Sequence, residues 1–312
     1  MILAGDIGGT NTRLALIDGD VRRFEAIEIY PSAAHESLEE MLQAFLRTHP
    51  AQPSAASFGV AGPVRDGHVD VTNLAWPVDA TRLAPLLHLD RVLLLNDLEA
   101  NAWGISALSS DDFHVLSEGD RDAAGNVGVC SAGTGLGEAG LYWDGERHHV
   151  FACEGGHTDF APLDEVQEGL REFLAREYGH VSYERVCSGM GLVNCYRFLA
   201  SLDGGAGLSL DAAAISAAAI DGSDETAGAA LDLMISIYGA EAGNLALKTL
   251  ATGGVYPGGG IPPKILPKLR EGGFLQAFAA KGRLAPLLER MPVRVILNDR
   301  TALIGAALAA AC

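Results

Sequence analysis

The chain is nearly without lysine. Of its 312 residues only Lys248, Lys264, Lys268 and Lys281 carry an ammonium side chain, all in the last quarter. A P-loop needs G-x-x-x-x-G-K-[ST] and a protein kinase needs a lysine on an early strand, so both are excluded. The net charge of −18 leaves no excess of positive charge for nucleic acid or an anionic membrane surface. Cys130, Cys153, Cys187, Cys195 and Cys312 are scattered with no C-x-x-C spacing. They signal neither zinc nor a disulfide framework, and a reducing cytosol is the expected location. No apolar run approaches the length of a membrane span, and the first residues lack the pattern of a secretory signal.

What is present is glycine: 38 of them in a chain that is 48% hydrophobic. That composition suits an α/β protein with many strand-to-helix turns, and the length predicts about two domains. A nucleotide bound by so acidic a chain has to be held by backbone N–H groups, helix N-termini and a metal ion.

The stretch Gly5-Asp6-Ile7-Gly8-Gly9-Thr10-Asn11-Thr12-Arg13 lies between two apolar runs, Ile2–Ala4 and Leu14–Ile17. It reads as a hairpin whose tip is almost bare backbone, open to a bulky anion. Asp6 stands at its mouth, where a carboxylate suits a hydrated Mg²⁺. An ordinary glycine-rich hairpin has the same pattern.

Further on, 21–29 predicts a strand and 35–49 an amphipathic helix with Leu38, Met41, Leu42, Phe45 and Leu46 on one face. Ala55–Val60 reads as a buried strand, followed by a loop with Asn73 and Trp76. Arg91–Leu95 is an apolar strand ending at Asn96-Asp97, where a helix begins with one of those two residues as its cap. Ligands gather outside the carboxyl ends of strands in open α/β sheets, which makes Asp97 a candidate catalytic group as well as a candidate cap.

Val127–Cys130 predicts another strand, opening into Ser131–Gly140. Gly135 to Gly140 satisfies G-x-G-x-x-G, but that fingerprint must open a helix. Here Leu141–Gly145 looks like strand and hairpin turn, so the segment is a second strand, glycine loop, strand. Glu154-Gly155-Gly156-His157 gives a compact polar wall suited to a hydroxylated ligand, although Gly155-Gly156 is equally a turn. A helix over 166–174 ends near Gly179, and another begins near Gly191. Asp224–Leu250 is a long helix, Val255–Ile261 a third glycine-rich loop, Val293–Leu297 a strand and Thr301–Ala311 a small-residue helix.

Taken in order, Gly5–Asn11, Leu95-Asn96-Asp97, Ala132–Gly137, Glu154–His157, Glu184-Arg185 and Gly253–Tyr256 resemble the bacterial glucokinase family, within the sugar kinase, hsp70 and actin superfamily. The resemblance covers essentially the whole chain. It implies two ribonuclease-H-like α/β domains (the actin-like ATPase fold) around a central cleft: 1–107 with 298–312, and 108–297.

It also implies ATP-dependent phosphorylation of D-glucose at the 6-hydroxyl, the entry to glycolysis, in a cytoplasmic homodimer. Asp97 matches the general base. Asn96, Asp97, Glu154, His157 and Glu184 match residues that bind the sugar. Gly5, Asp6, Ile7, Gly8, Gly9, Thr10 and Asn11 match the first phosphate loop, and Gly133, Thr134 and Gly135 the second. Gly253, Gly254 and Gly259 match the adenosine site. Asp6 is the Mg²⁺ residue, through water. The repressor-like kinases follow their histidine with a zinc-binding cysteine cluster, whereas Thr158-Asp159-Phe160 follows here, so zinc is not expected. Pro257-Gly258 replaces an Ile-Ala pair and Met190 replaces a proline.

Alternatives are a kinase of another hexose, a sugar sensor of the same fold that has lost catalysis, and an actin- or chaperone-like ATPase. Retention of Asp97 opposes the sensor, and the Glu154, His157 and Glu184 cluster opposes the ATPase.

Overall fold

A computed structural model describes residues 1–71, 74–202, 204 and 210–312. Asn73, singled out above, lies outside the described residues. The chain divides into two compact units, Met1–Asp111 with Asn298–Cys312, and Asp112–Leu297.

The first unit is a five-stranded sheet in the order β3-β2-β1-β4-β7, with a two-stranded ribbon, β5-β6. Its strands are β1 (Ile2–Ile7), β2 (Asn11–Ile17), β3 (Phe24–Pro31), β4 (Ala55–Val60), β5 (His68–Asp70), β6 (Pro77–Asp79) and β7 (Leu93–Asn96). β1 to β3 form an antiparallel meander, while β4 and β7 run parallel to β1. Helices α1 (Leu38–Thr48) and α2 (Ala80–Leu86) cover one core with Phe45, Phe58, Trp76 and Leu83. Helix α3 (Asp97–Ile105) and the C-terminal α11 (Thr301–Ala311) complete the unit, and α11 buries Leu303, Ala306 and Ala307 against Ala4, Ala15 and Ile17.

The second unit repeats the plan. Its sheet runs β11-β10-β9-β12-β13-β8, built from β8 (Phe113–Ser117), β9 (Val127–Ala132), β10 (Leu136–Trp143), β11 (His148–Cys153), β12 (Gly254–Gly258) and β13 (Val293–Ile296). β9 to β11 form the antiparallel meander, and β12 and β13 continue parallel from β9. β10 is a strand throughout Gly137–Gly140, so the G-x-G-x-x-G match opens no helix. Helices α4 (Glu165–Tyr178), α5 (Gly189–Leu202), α6 (Ala212–Asp221) and α7 (Glu225–Thr249) are joined by the short α8 (Leu266–Leu269), α9 (Gly273–Ala279) and α10 (Ala285–Leu288).

Helix α7 is apolar nearly all round, as a helix inside a core must be. The Asp224 carboxylate caps it by accepting from Ala227 N at 2.9 Å, and Leu250 ends it in the left-handed region at φ +49°. Buried Tyr238 donates its hydroxyl to Cys130 O at 2.6 Å, tying α7 to β9.

Close backbone contact joins α3 to α11. A β-carbon on Gly305 would lie 1.8 Å from Ala100 O, and one on Gly104 would lie 2.1 Å from Thr301 O. Because the obstacle is backbone, rotamer changes cannot relieve it. Gly305→Val is expected to destabilise the protein by about 3 kcal/mol, the upper range for overpacking. Gly228→Ala, which faces open space within α7, should be neutral or stabilising through helix propensity. Thermal melts of the two variants measure the contrast.

Candidate active site

In the first unit the candidate groups collect at the carboxyl ends of parallel strands. Asp6 lies opposite Gly59, and Gly59 opposite Leu95, so β1, β4 and β7 end side by side. Asp97 follows the last of them directly. A β-carbon on Gly59 would come within 2.7 Å of Ala100 Cβ and 3.7 Å of Asp97 Cα, so glycine there lets α3 start close against the sheet.

Asn96 is the cap of α3. Its Oδ1 accepts from Leu98 N at 2.9 Å and Glu99 N at 3.4 Å, and Glu99 Oε2 accepts from Asn96 N at 3.3 Å. Asn96 Nδ2 also donates to Gly62 O at 3.1 Å. Asp97 is the first helical residue, half-buried, with its Oδ1 accepting from Leu98 N at 3.0 Å. Burial raises the Glu99 carboxyl above its ordinary range, against the opposing bond from Asn96 N.

The hairpin tip is Gly8–Asn11, closed by Gly8 N donating to Asn11 O at 3.0 Å. Ser32 Oγ donates to Gly8 O at 2.7 Å, and Ser32 N to Thr10 O at 2.9 Å, which fixes the tip from outside. Thr10 and Asn11 are exposed and Gly8 and Gly9 half-buried, whereas Ile7 is core. Gly5 is not at the tip. It is buried within β1, where a β-carbon would fall 2.4 Å from the Phe58 ring, so its role is packing.

Asp6 pairs with Arg13 directly across the hairpin, Nη1 to Oδ2 at 3.1 Å. Burial raises the Asp6 carboxyl and Arg13 works to lower it. Arg13 is a partner that sequence reasoning gave no role, although the hairpin register already faced it to Asp6. One carboxylate, with Oδ2 taken by Arg13, fits a magnesium ion held through water and phosphate oxygens. Among the described residues no three His, Cys, Asp or Glu side chains converge to bind an ion directly.

In the second unit the structure brings together Gly133–Gly135, Glu184, Gly189 and Gly259. Gly133 N donates to Gly135 O and Gly189 N to Gly133 O, both at 2.8 Å. Glu184 Oε2 accepts from Leu136 N at 3.2 Å and presses so near Gly135 that a β-carbon there would lie 2.3 Å away. Gly259, at φ +83°, sits where a β-carbon would meet Ala132 O at 2.4 Å.

Glu154 and His157 bracket a single 3₁₀ turn, both exposed, while Gly156 is buried against Leu136 O. Tyr183 N donates to Thr158 O at 3.1 Å, which ties this turn to the one carrying Glu184.

Gly253 and Gly254 require a correction. The third glycine-rich segment is largely strand, β12, and these two stand at its amino end while Gly259 follows its carboxyl end. Gly253 N donates to Asn126 O at 2.9 Å, and a β-carbon on Gly253 would lie 2.6 Å from Gly125 O. Gly254 pairs with Val127 at the start of β9, so about 20 Å of strand separates them from the Gly133 loop and they serve strand entry.

Asn96→Ala should cost about 1–2 kcal/mol, since it removes the cap and leaves Gly62 O without that donor. Urea titration checks the loss.

A glucokinase family model matches residues 3–312. A glucokinase of Nostoc punctiforme is 42% identical over 337 aligned residues, spanning 100% of this chain and 99% of that one. The crystal structure of a glucokinase from an Antarctic psychrotroph superposes with a TM-score of 0.87 at 34% identity, covering 99% of this chain and 98% of the other. A glucokinase from Balamuthia mandrillaris, solved in complex with glucose, has a TM-score of 0.86 at 23% identity over 100% and 93% of the two chains, a likeness of fold. The chain belongs to the glucokinase family.

Proposed function

We infer that the chain transfers the γ-phosphoryl group of ATP to the 6-hydroxyl of D-glucose, giving glucose 6-phosphate and ADP. The supporting observation is full-length membership of the glucokinase family together with an aspartate, Asp97, at the carboxyl end of β7.

In this reading Asp97 accepts the 6-hydroxyl proton while the sugar oxygen bonds to the γ-phosphorus and the bond to the bridging oxygen of ADP breaks. Its anchoring in the first turn of α3 is what a base needs, because orientation supplies much of the rate. Asn96, fixed by the cap, presents a neighbouring polar group to the sugar. Glu154, His157 and Glu184 accept and donate hydrogen bonds to the other hydroxyls. Backbone N–H groups of Gly8–Asn11 and Gly133–Gly135 hold the phosphates in place of lysine, and Gly259 lies on the adenosine side. Asp6 is the residue that would hold hydrated Mg²⁺, which when bound offsets charge on the phosphate oxygens.

A cytoplasmic location is consistent with five cysteines that are all free thiols. No helix among the described residues is long and apolar enough to cross a membrane. Assembly as a homodimer is the remaining expectation, and light scattering measures it.

Asp97→Asn, nearly isosteric, is expected to lower kcat by about 10²–10⁴ while glucose still binds. Retention of more than about a third of kcat would remove Asp97 from proton transfer. Glu184→Gln should raise the KM for glucose by at least about tenfold and leave the KM for ATP unchanged, because a site built to bond hydroxyls tolerates a missing acceptor poorly. An assay of ADP release with a panel of hexoses reads both variants and identifies the preferred sugar.

A further inference from the structure

Beneath the two turns that carry Glu154, His157 and Glu184 lies a set of charged side chains with no part in the chemistry above. Glu138, on β10, is 1% exposed, and its Oε1 has no hydrogen-bond partner among the described residues. Glu241, on α7, is also 1% exposed and stands within hydrogen-bonding reach of the Glu138 carboxyl.

Each of these acids supports one of the turns. The Glu138 carboxyl rests on the Gly155 α-carbon so closely that a β-carbon would lie 1.8 Å from Oε2. The Tyr183 hydroxyl, one residue before Glu184, accepts from Asn244 Nδ2 at 3.0 Å. The same Nδ2 donates to Glu241 Oε2 at 2.8 Å. Lys248 Nζ stands 3.4 Å from Glu241 Oε1, and Lys281 Nζ donates to Asn244 Oδ1 at 2.6 Å and to Ala240 O at 2.8 Å.

Two carboxylates at hydrogen-bond distance in a buried site do not both ionise. We propose that Glu138 and Glu241 share a single proton near neutral pH, and that the protonated pair is a positioning device for sugar recognition, holding the 155–157 and 183–185 turns on one support. The proposal rests on the assignment of those turns to the sugar.

Burial, reinforced by the charge of Glu241 and opposed by Lys248, pushes the Glu138 carboxyl up to about 8. The other groups facing it are Cys130 on β9, Cys153 on β11, Cys187 and Tyr238, while Glu154 acts on Cys153 and Tyr183 on the Glu241 side. Burial raises all three thiols and both phenols, so each stays protonated as Glu138 titrates. The Lys281 ammonium is lowered by burial, and Glu241 works against that shift.

The folded protein therefore binds Glu138's proton more tightly than the unfolded chain does. The stability this contributes is complete below the ordinary carboxyl range and is lost as pH rises through about 8. Loss of the proton leaves two buried negative charges, and their repulsion pushes the Glu138 carboxylate against Gly155 and the turn bearing Glu154 and His157.

Calorimetric titration of the full chain with glucose, without nucleotide, from about pH 6.5 to 9.5 tests the device. The glucose Kd should rise at least about fivefold between about pH 7 and 9, while the Kd for ATP alone stays level. Glu138→Gln keeps the shape and a donor towards Glu241 but cannot ionise, so it should match the wild type at neutral pH and lose the alkaline weakening. The wild type should also show an infrared carboxylic-acid band that fades over the same range, a readout that stands even if the variant fails to fold. A level wild-type glucose Kd, an absent band, or alkaline weakening that persists in Glu138→Gln would overturn the proposal. Failure to bind glucose at any pH would instead sink the sugar-site reading, and the proposal with it.

Discussion

Backbone approach closer than a β-carbon permits organises both units. In the first, Gly59 lets α3 begin against the sheet, and Gly104 and Gly305 let α3 and α11 touch. Asp97 owes its place at the end of β7 to that contact, since α3 enters at the level where β1, β4 and β7 finish. In the second, Gly135 admits the Glu184 carboxylate and Gly155 rests on Glu138. Each bare α-carbon brings a charged group to within contact of a turn. Rigidity at such points comes from steric exclusion, which has no conformational freedom to lose when a ligand binds.

Strands and helices whose apolar residues keep a clear period were legible in the sequence. Ala55–Val60 is a strand over the whole expected range, and the 38–48 helix buries Leu38, Met41, Leu42 and Phe45 as its spacing requires. The two hairpins were legible because glycine and small polar residues interrupt strand-like runs. Their likeness in sequence is now a likeness of topology, β3-β2-β1-β4-β7 against β11-β10-β9-β12-β13.

What stayed hidden was anything that depends on which residues meet across long separations. Gly5 looks like a phosphate-loop glycine and Gly253 and Gly254 like adenosine-site glycines on the page, but Phe58, Gly125 and Pro292 show them to be packing positions. Glu138 and Glu241 are 103 positions apart by subtraction of their numbers, and each alone reads as an ordinary surface acid. A single hint was available: Glu138 alternates with apolar neighbours on a strand whose inward positions are otherwise uncharged.

The scarcity of lysine takes on a different meaning beside that pair. Lys248 and Lys281 attend the buried acids, and Lys268 bridges Asp232 and Glu271 at 2.9 and 2.8 Å. These three lysines make structural contacts within the second unit. A fully ionised buried pair needs a close counter-charge to offset desolvation, and removing one partner costs about 3–5 kcal/mol. The proposed protonation of the pair would avoid that penalty with a single partly exposed lysine in contact. The same economy would make the support of the proposed sugar turns sensitive to proton activity, while the cap that anchors Asp97 has an uncharged amide at its centre. In the proposed reading, recognition and proton transfer thus stand on supports of different chemical character.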